Sequence, residues 1–373
     1  MIEMYGWGLL GLVACSYSPT PAASPGSDAP SLDGALEPGP GLVRELDLDD
    51  AQVSGGPHTD FPLLVSLTET WLRDRDNGGD VSLPDALDVI FTSDQSGTIR
   101  LAHEIEIYRP DTGTLIAWVR IPALTATSQL FVHYGDPEQQ SAPGTVFAGE
   151  YELVLHLSSG VDVTEQSAAF SIAELELMPG QIDRGVQFDG TTDRVNVGSV
   201  APIDNLFDAG GTAEGWFFAT SYGENGFGRL FDKGHTGGWS MAINNGNAVQ
   251  TLAFVHGGND FGEWNGPSNA VTLNAWHHAA VVYDKSSNAN QPVMYIDGVA
   301  LTGIDELVAP GGAMDSDAAF DLAIGNSIAN DRTFDGILDE LRLASVPRDA
   351  SWIGTQFKNQ SAPGSFVTPS EPL

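Results

Sequence analysis

The chain has 373 residues, enough to bury a sizeable core and, at roughly 100 to 200 residues per domain, to divide into two. Asp and Glu number 50 against 15 Lys and Arg, a net charge of -35 that repels nucleic-acid backbones and excludes DNA and RNA as expected partners. A single cysteine, Cys15, excludes an intramolecular disulfide and any zinc site built from several thiolates.

From the N-terminus, the first feature is the apolar run "GWGLLGLVAC", which is too short to span a bilayer and suits the h-region of a secretory signal. Its end, "LVAC", resembles the lipobox of bacterial lipoproteins, in which the chain is cut before the cysteine and the thiol receives a lipid. The n-region "MIEMY" departs from that pattern, with Glu3 and no Lys or Arg. The resemblance implies a signal peptide over 1–14, lipidation of Cys15, contact with the membrane only through that anchor, and a place in the cell envelope. Ser16, not aspartate, follows the cysteine, which implies the outer membrane. Residues 15–40 hold six prolines among Ser, Ala, Gly and Asp, a composition that cannot bury enough apolar area to fold and reads as a tether.

From Gly41 the punctuation is all-β: short apolar runs bounded by Gly, Asp, Asn and Pro, with no sustained 3.6-residue period. Strands are expected at "FPLLVSL", "LDVIFT", "AHEIEIY", "LIAWVRI" and "QLFVHYG", with one short helix at "TETWLRDRD". These make a small β-sandwich over 41–137, closed by a linker at 138–145. Further strands follow at "YELVLHL", "GVQFDG", "AEGWFFA", "GRLFDKG", "WSMAINN", "TLAFVHG", "AWHHAAVVYD", "VMYIDG", "DLAIGN" and "GILDELRLA".

"FDGTTDRVNVG", "AEGWFFA", "RLFDKGHTGGWSMAI", "WHHAAVVYD", "VMYIDGVAL", "DLAIGNS" and "FDGILDELRLASVPRD" resemble, in order and spacing, the LamG-like, concanavalin A-like jelly-roll domain. The likeness covers residues 146–349, with 350–373 as closing segment and tail. "VSGGPHTDFPLLVSLTETWLR", "LAHEIEIYRPDTGTLIAWVRIPAL" and "LFVHYGDP" resemble a bacterial domain of unknown function that often precedes LamG modules. The fold class is therefore all-β: a small β-sandwich followed by a LamG-like jelly-roll sandwich.

Candidate sites are few. His277 and His278 are adjacent, and strand alternation points them to opposite faces, so one cation is not expected to bind both. Glu104 and Glu106 share a strand face at a spacing that does not exclude paired-carboxylate catalysis, and are expected on a solvated outer face. "DRDNGGD" fails as a calcium loop, because Gly78 takes the fifth position, Pro84 the eleventh, and Asp85 the twelfth in place of a bidentate glutamate; a plain turn fits better. No zinc-protease motif and no nucleophile elbow is present.

The LamG resemblance implies that a cation, when bound, is held by aspartates, here Asp189, Asp193 and Asp339, with calcium the expected ion; Asp-Gly pairs are also ordinary turn formers. In "HGGNDFGEWNGPSN", Asn259, Asp260, Phe261, Trp264 and Asn265 combine aromatic faces with hydrogen-bonding groups, a mixture suited to sugars, although a large aromatic is often a core plug. The expected function is a non-enzymatic, surface-anchored protein binding a glycan or glycoprotein. A structural or adhesive spacer is the alternative, and a polysaccharide-degrading enzyme a third.

Overall fold

The computed structural model describes residues 41–139, 144–158, 171–172, 174–235, 237–246, 250–257, 261–311 and 315–373. Cys15, the proline-rich stretch to residue 40, Asn259 and Asp260 lie outside the described residues. The described residues, from Gly41 to Leu373, form one compact unit. Among the described residues it is built from four antiparallel sheets, of four, three, eight and seven strands.

A three-stranded sheet of His58–Thr68, Thr114–Leu124 and His103–Arg109 explains the near-continuous apolar runs of the first half. Phe61, Leu63 and Val65 pair with Ile121, Val119 and Ala117 and face the four-stranded sheet, where Phe91 and Val132 meet them. The alternate residues Leu64, Ile116 and Trp118 are buried on the opposite face, against Val154 and Ala344 of the eight-stranded sheet. A strand covered on both faces loses the apolar–polar alternation that marks a one-sided sheet. The eight- and seven-stranded sheets in turn enclose an aromatic core that includes Phe188, Phe217, Trp239, Phe254, Trp264 and Tyr283.

The C-terminal segment differs from a simple closing strand. "SWIGTQF" lies in a helix, Ala350–Ser361, started by Asp349, whose Oδ1 accepts from the Trp352 amide at 2.8 Å. The helix buries Trp352 and Ile353 near its start but Thr355, Gln356, Asn359 and Gln360 beyond them, so no apolar stripe runs its length. These amides tie two layers together: Asn359 exchanges hydrogen bonds with both backbone groups of Leu64, and Gln360 Oε1 accepts from Trp216 Nε1 at 2.7 Å. Beyond the helix, Val367–Pro369 pairs antiparallel with Leu42–Leu48, so the end of the chain completes the sheet begun by its first described strand. The expected helix at "TETWLRDRD" is two short 3-10 turns, Thr70–Leu72 and Arg75–Asn77.

One irregularity places charged groups between the layers. Gly211–Ala219 pairs with Asp335–Ala344 so that Trp216 faces Asp339 and Glu214 faces Arg342, leaving two residues, Glu340 and Leu341, opposite Gly215. Glu340 has φ 51°, and a side chain at position 215 would begin 2.2 Å from Leu341 Cδ2. The bulge keeps Leu338 and Leu341 in the jelly-roll core while Glu340 and Arg342 face the first module.

Candidate functional site

A cleft of about 420 Å³ lies where Arg229–Lys233 meets the loop joining Leu322–Ile324 to Asp335–Ala344. "RLFDK" sends Leu230 and Phe231 into the core, with a bulge between Arg229 and Phe231, and Arg229 and Asp232 line the cleft. Arg229 Nε donates to Asp232 Oδ2 at 3.0 Å, and Asp232 Oδ1 accepts from the Gly234 amide at 3.0 Å, which fixes both charged groups. His235 Nδ1 lies 3.2 Å from Ser240 Oγ. Burial, with Arg229 and Arg332 nearby, pushes the His235 imidazole down to about 4, so at neutral pH it is uncharged and offers one donor and one acceptor.

The far wall is the loop "NSIANDRT". Asn326 Oδ1 accepts from the amides of Ser327 and Arg332, and its Nδ2 donates to Thr333 Oγ1 at 2.7 Å. Arg194 donates to the Ile328 carbonyl at 2.8 Å from outside. Ile328 nevertheless stays 42% exposed at the cleft, together with Arg332 and Phe320. Lys233, fully buried, donates to Asp204 Oδ1 at 2.7 Å and to the Phe320 carbonyl at 2.8 Å, and so holds the segment carrying Phe320. The result is a rigid pocket pairing apolar surface with guanidinium, imidazole and carboxylate groups. Its sequence signal is a lone Ile328 in an Asn/Asp/Ser loop, which our reading of the sequence passed over.

The expected site residues are placed differently. Trp264 is fully buried, stacked on Phe254 at 6.2 Å, and presents no surface to a ligand; the core reading of this residue is the one the structure supports, because the indole fills the space between the two sheets. Asn265 is also buried, its Oδ1 accepting from Asn244 Nδ2 at 3.0 Å. Phe261 is 40% exposed. These three do not form one exposed platform.

Asp189 and Asp193 share a surface turn. Asp189 Oδ1 accepts from the amides of Thr191, Thr192 and Asp193, and Asp193 Oδ2 accepts from the Asp189 amide at 2.9 Å. Asp339 stands apart: Asp189 pairs with Asp335, four residues before Asp339, or roughly 13 Å along the strand. There it is fully buried, accepting from the Ile182 amide at 2.9 Å. The three aspartates therefore do not make a single calcium shell, and the first two serve as turn acceptors.

The adjacent histidines do diverge. His277 Nδ1 meets Asp297 Oδ2 at 2.8 Å, whereas His278 lies on the face that carries Glu214 and Trp216. Glu106 corrects the expectation of a solvated face: its side chain is 3% exposed, because the eight-stranded sheet covers it.

His256, at the end of Thr251–His256, is fully buried against Phe207 and Tyr283. Burial, and secondarily Lys285, pushes it down to about 3. A base whose folded value is depressed contributes stability that is complete above its unfolded value near 6.5 and is lost as pH falls through that window, by up to about 1.4 kcal/mol per pH unit. Urea midpoints between pH 7 and 4 should fall less steeply in His256→Phe than in the wild type; parallel slopes would refute the assignment.

Residues 189–354 carry the cleft and the bulge, and they match a described family. That family is the concanavalin A-like lectin/glucanases superfamily. No curated protein matches the chain. Among solved structures, the chain is similar to the binding domain of Paraclostridial Mosquitocidal Protein 1, with 13% identity and a TM-score of 0.44 over 56% of this chain and 52% of that one. It is also similar to domain 4 of AbnA, a GH43 extracellular arabinanase from Geobacillus stearothermophilus solved with arabinotriose, with 15% identity and a TM-score of 0.42 over 56% of this chain and 98% of that one. The botulinum neurotoxin serotype G binding domain gives 13% identity and a TM-score of 0.41 over 57% of this chain and 51% of that one. The matched region thus spans about half the length of the first and third of these. The concanavalin A-like segment supplies every residue of the cleft described above.

Proposed function

We propose that the chain is a non-enzymatic binding protein of the cell envelope, tethered through Cys15, whose concanavalin A-like segment takes a glycan or glycosylated partner in the cleft beside Ile328. The observation that carries this reading is the composition of that cleft. Sugar rings present C–H faces and hydroxyls together, and the cleft offers Ile328 and Phe320 for the former with Arg229, Arg332 and His235 for the latter. Asp232 is already paired with Arg229, which suits a fixed hydrogen-bond acceptor better than a free general base.

A glycan array on the full chain should give selective signal. Ile328→Asp should weaken binding at least tenfold and leave the melting temperature within about 2 °C of wild type, since the side chain is 42% exposed. Folded wild type that retains no glycan would favour the spacer reading instead.

A further inference from the structure

Where the first module meets the outer face of the eight-stranded sheet, three side chains from separate segments converge. Glu106 comes from His103–Arg109, His156 from just beyond Tyr151–Leu155, and Glu340 from the bulge in Asp335–Ala344. One ligand-type atom from each lies within 4.8 Å of the others. His156 Nδ1 is 2.7 Å from Glu340 Oε1 and 3.8 Å from Glu106 Oε2. We infer that Glu106, His156 and Glu340 form a binding site for a divalent first-row transition metal that joins the two modules.

Neighbouring donors hold the carboxylates in place. Each carboxylate has one oxygen held by its own donor: Glu106 Oε2 accepts from Trp118 Nε1 at 3.0 Å, and Glu340 Oε2 from Arg342 at 2.7 Å. The second imidazole nitrogen, Nε2, lies 3.4 Å from Glu104 Oε1 and makes no hydrogen bond. Trp118 stacks on the imidazole with 5.6 Å between ring centroids. Glu106 Oε1 remains buried with no hydrogen-bond partner, as does Oδ1 of the adjoining, fully buried Asp339. An unpaired buried carboxylate oxygen is costly, and a cation offsets that cost.

One imidazole and two carboxylates suit zinc, manganese or iron, whereas calcium takes six to eight oxygens. Bonds of about 2.0–2.2 Å place neighbouring ligand atoms roughly 3.3–3.6 Å apart. The 2.7 Å His156–Glu340 contact would widen by about 0.6–0.9 Å to reach that spacing. A cleft of about 360 Å³ at the edge strand is lined by Glu104 and Glu106, with His103, Tyr108, Asp85 and Leu87.

Zn²⁺ added to chelator-treated full-length chain should bind with one equivalent that depends on Glu106 and should raise the melting temperature. Co²⁺ should give visible d–d absorption from an imidazole–carboxylate site. Glu106→Gln keeps the shape of the side chain, so it should fold, yet lose at least tenfold in Zn²⁺ affinity and lose the Co²⁺ band. Trp118→Phe, which keeps all three ligands but frees Glu106 Oε2, should weaken Zn²⁺ about tenfold. If folded wild type shows neither the thermal shift nor the band, or if Glu106→Gln binds Zn²⁺ as the wild type does, the cluster is an ion-pair network and the proposal fails.

Discussion

Trp264→Ala is expected to destabilise the chain by about 3–5 kcal/mol, the range for deleting a large aromatic from a packed core. The side chain lies wholly between the two jelly-roll sheets, stacked on Phe254 and 5.4 Å from Tyr283. Its neighbour two residues earlier, Gly262, leaves the space the indole occupies, since a Cβ there would stand 2.1 Å from Trp264 Cη2. Urea denaturation followed by fluorescence gives the number directly. Glycan binding at 25 °C should then fall only in proportion to the unfolded fraction. A variant with wild-type stability and no binding would return Trp264 to the role of a surface platform.

Arg342→Ala should cost a similar 3–5 kcal/mol, for an electrostatic reason. The guanidinium is almost completely buried, donates to Glu340 Oε2 at 2.7 Å, and sits 4.3 Å above Trp118 and 5.0 Å above Phe147. Burial opposes the charged form of Glu340, but His156 and Arg342 together hold it below the usual carboxylate range. Removing the arginine leaves that charge with His156 as its single partner, beside the buried Asp339 and Glu106. The double variant Arg342→Met, Glu340→Gln should recover most of the loss, because replacing both partners of a buried pair by neutral groups of similar size is far cheaper than removing one. Both measurements belong in chelator, so that no bound cation contributes. A single variant within about 1 kcal/mol of wild type would mean that Glu340 is solvated or protonated without Arg342.

What the sequence determined by itself is the all-β class and the concanavalin A-like segment. Both rest on local signals: short apolar runs closed by turn residues, and ordered strings such as "FDGTTDRVNVG" and "FDGILDELRLA" whose spacing follows strand and turn lengths. The divergence of His277 and His278 was equally legible, because the two-residue period of a strand needs no tertiary information. The tertiary structure alone decided what covers each face. Trp264 reads in sequence as well for a sugar platform as for a core plug, and only the opposing sheet makes it core. Glu104 and Glu106 alternate with apolar residues as a solvated face would, yet strands contributed from beyond residue 150 bury Glu106 and bring it to His156 and Glu340. Asp189, Asp193 and Asp339 look alike in sequence as turn or ligand aspartates, but register sets the last one four residues up the strand. The helix of residues 350–361 buries amides in place of an apolar stripe, so its periodicity is silent while its contacts to Leu64 and Trp216 join the layers. Burial is a property of pairs of surfaces distant in sequence, and the side chains on one surface do not encode which other surface will close over them.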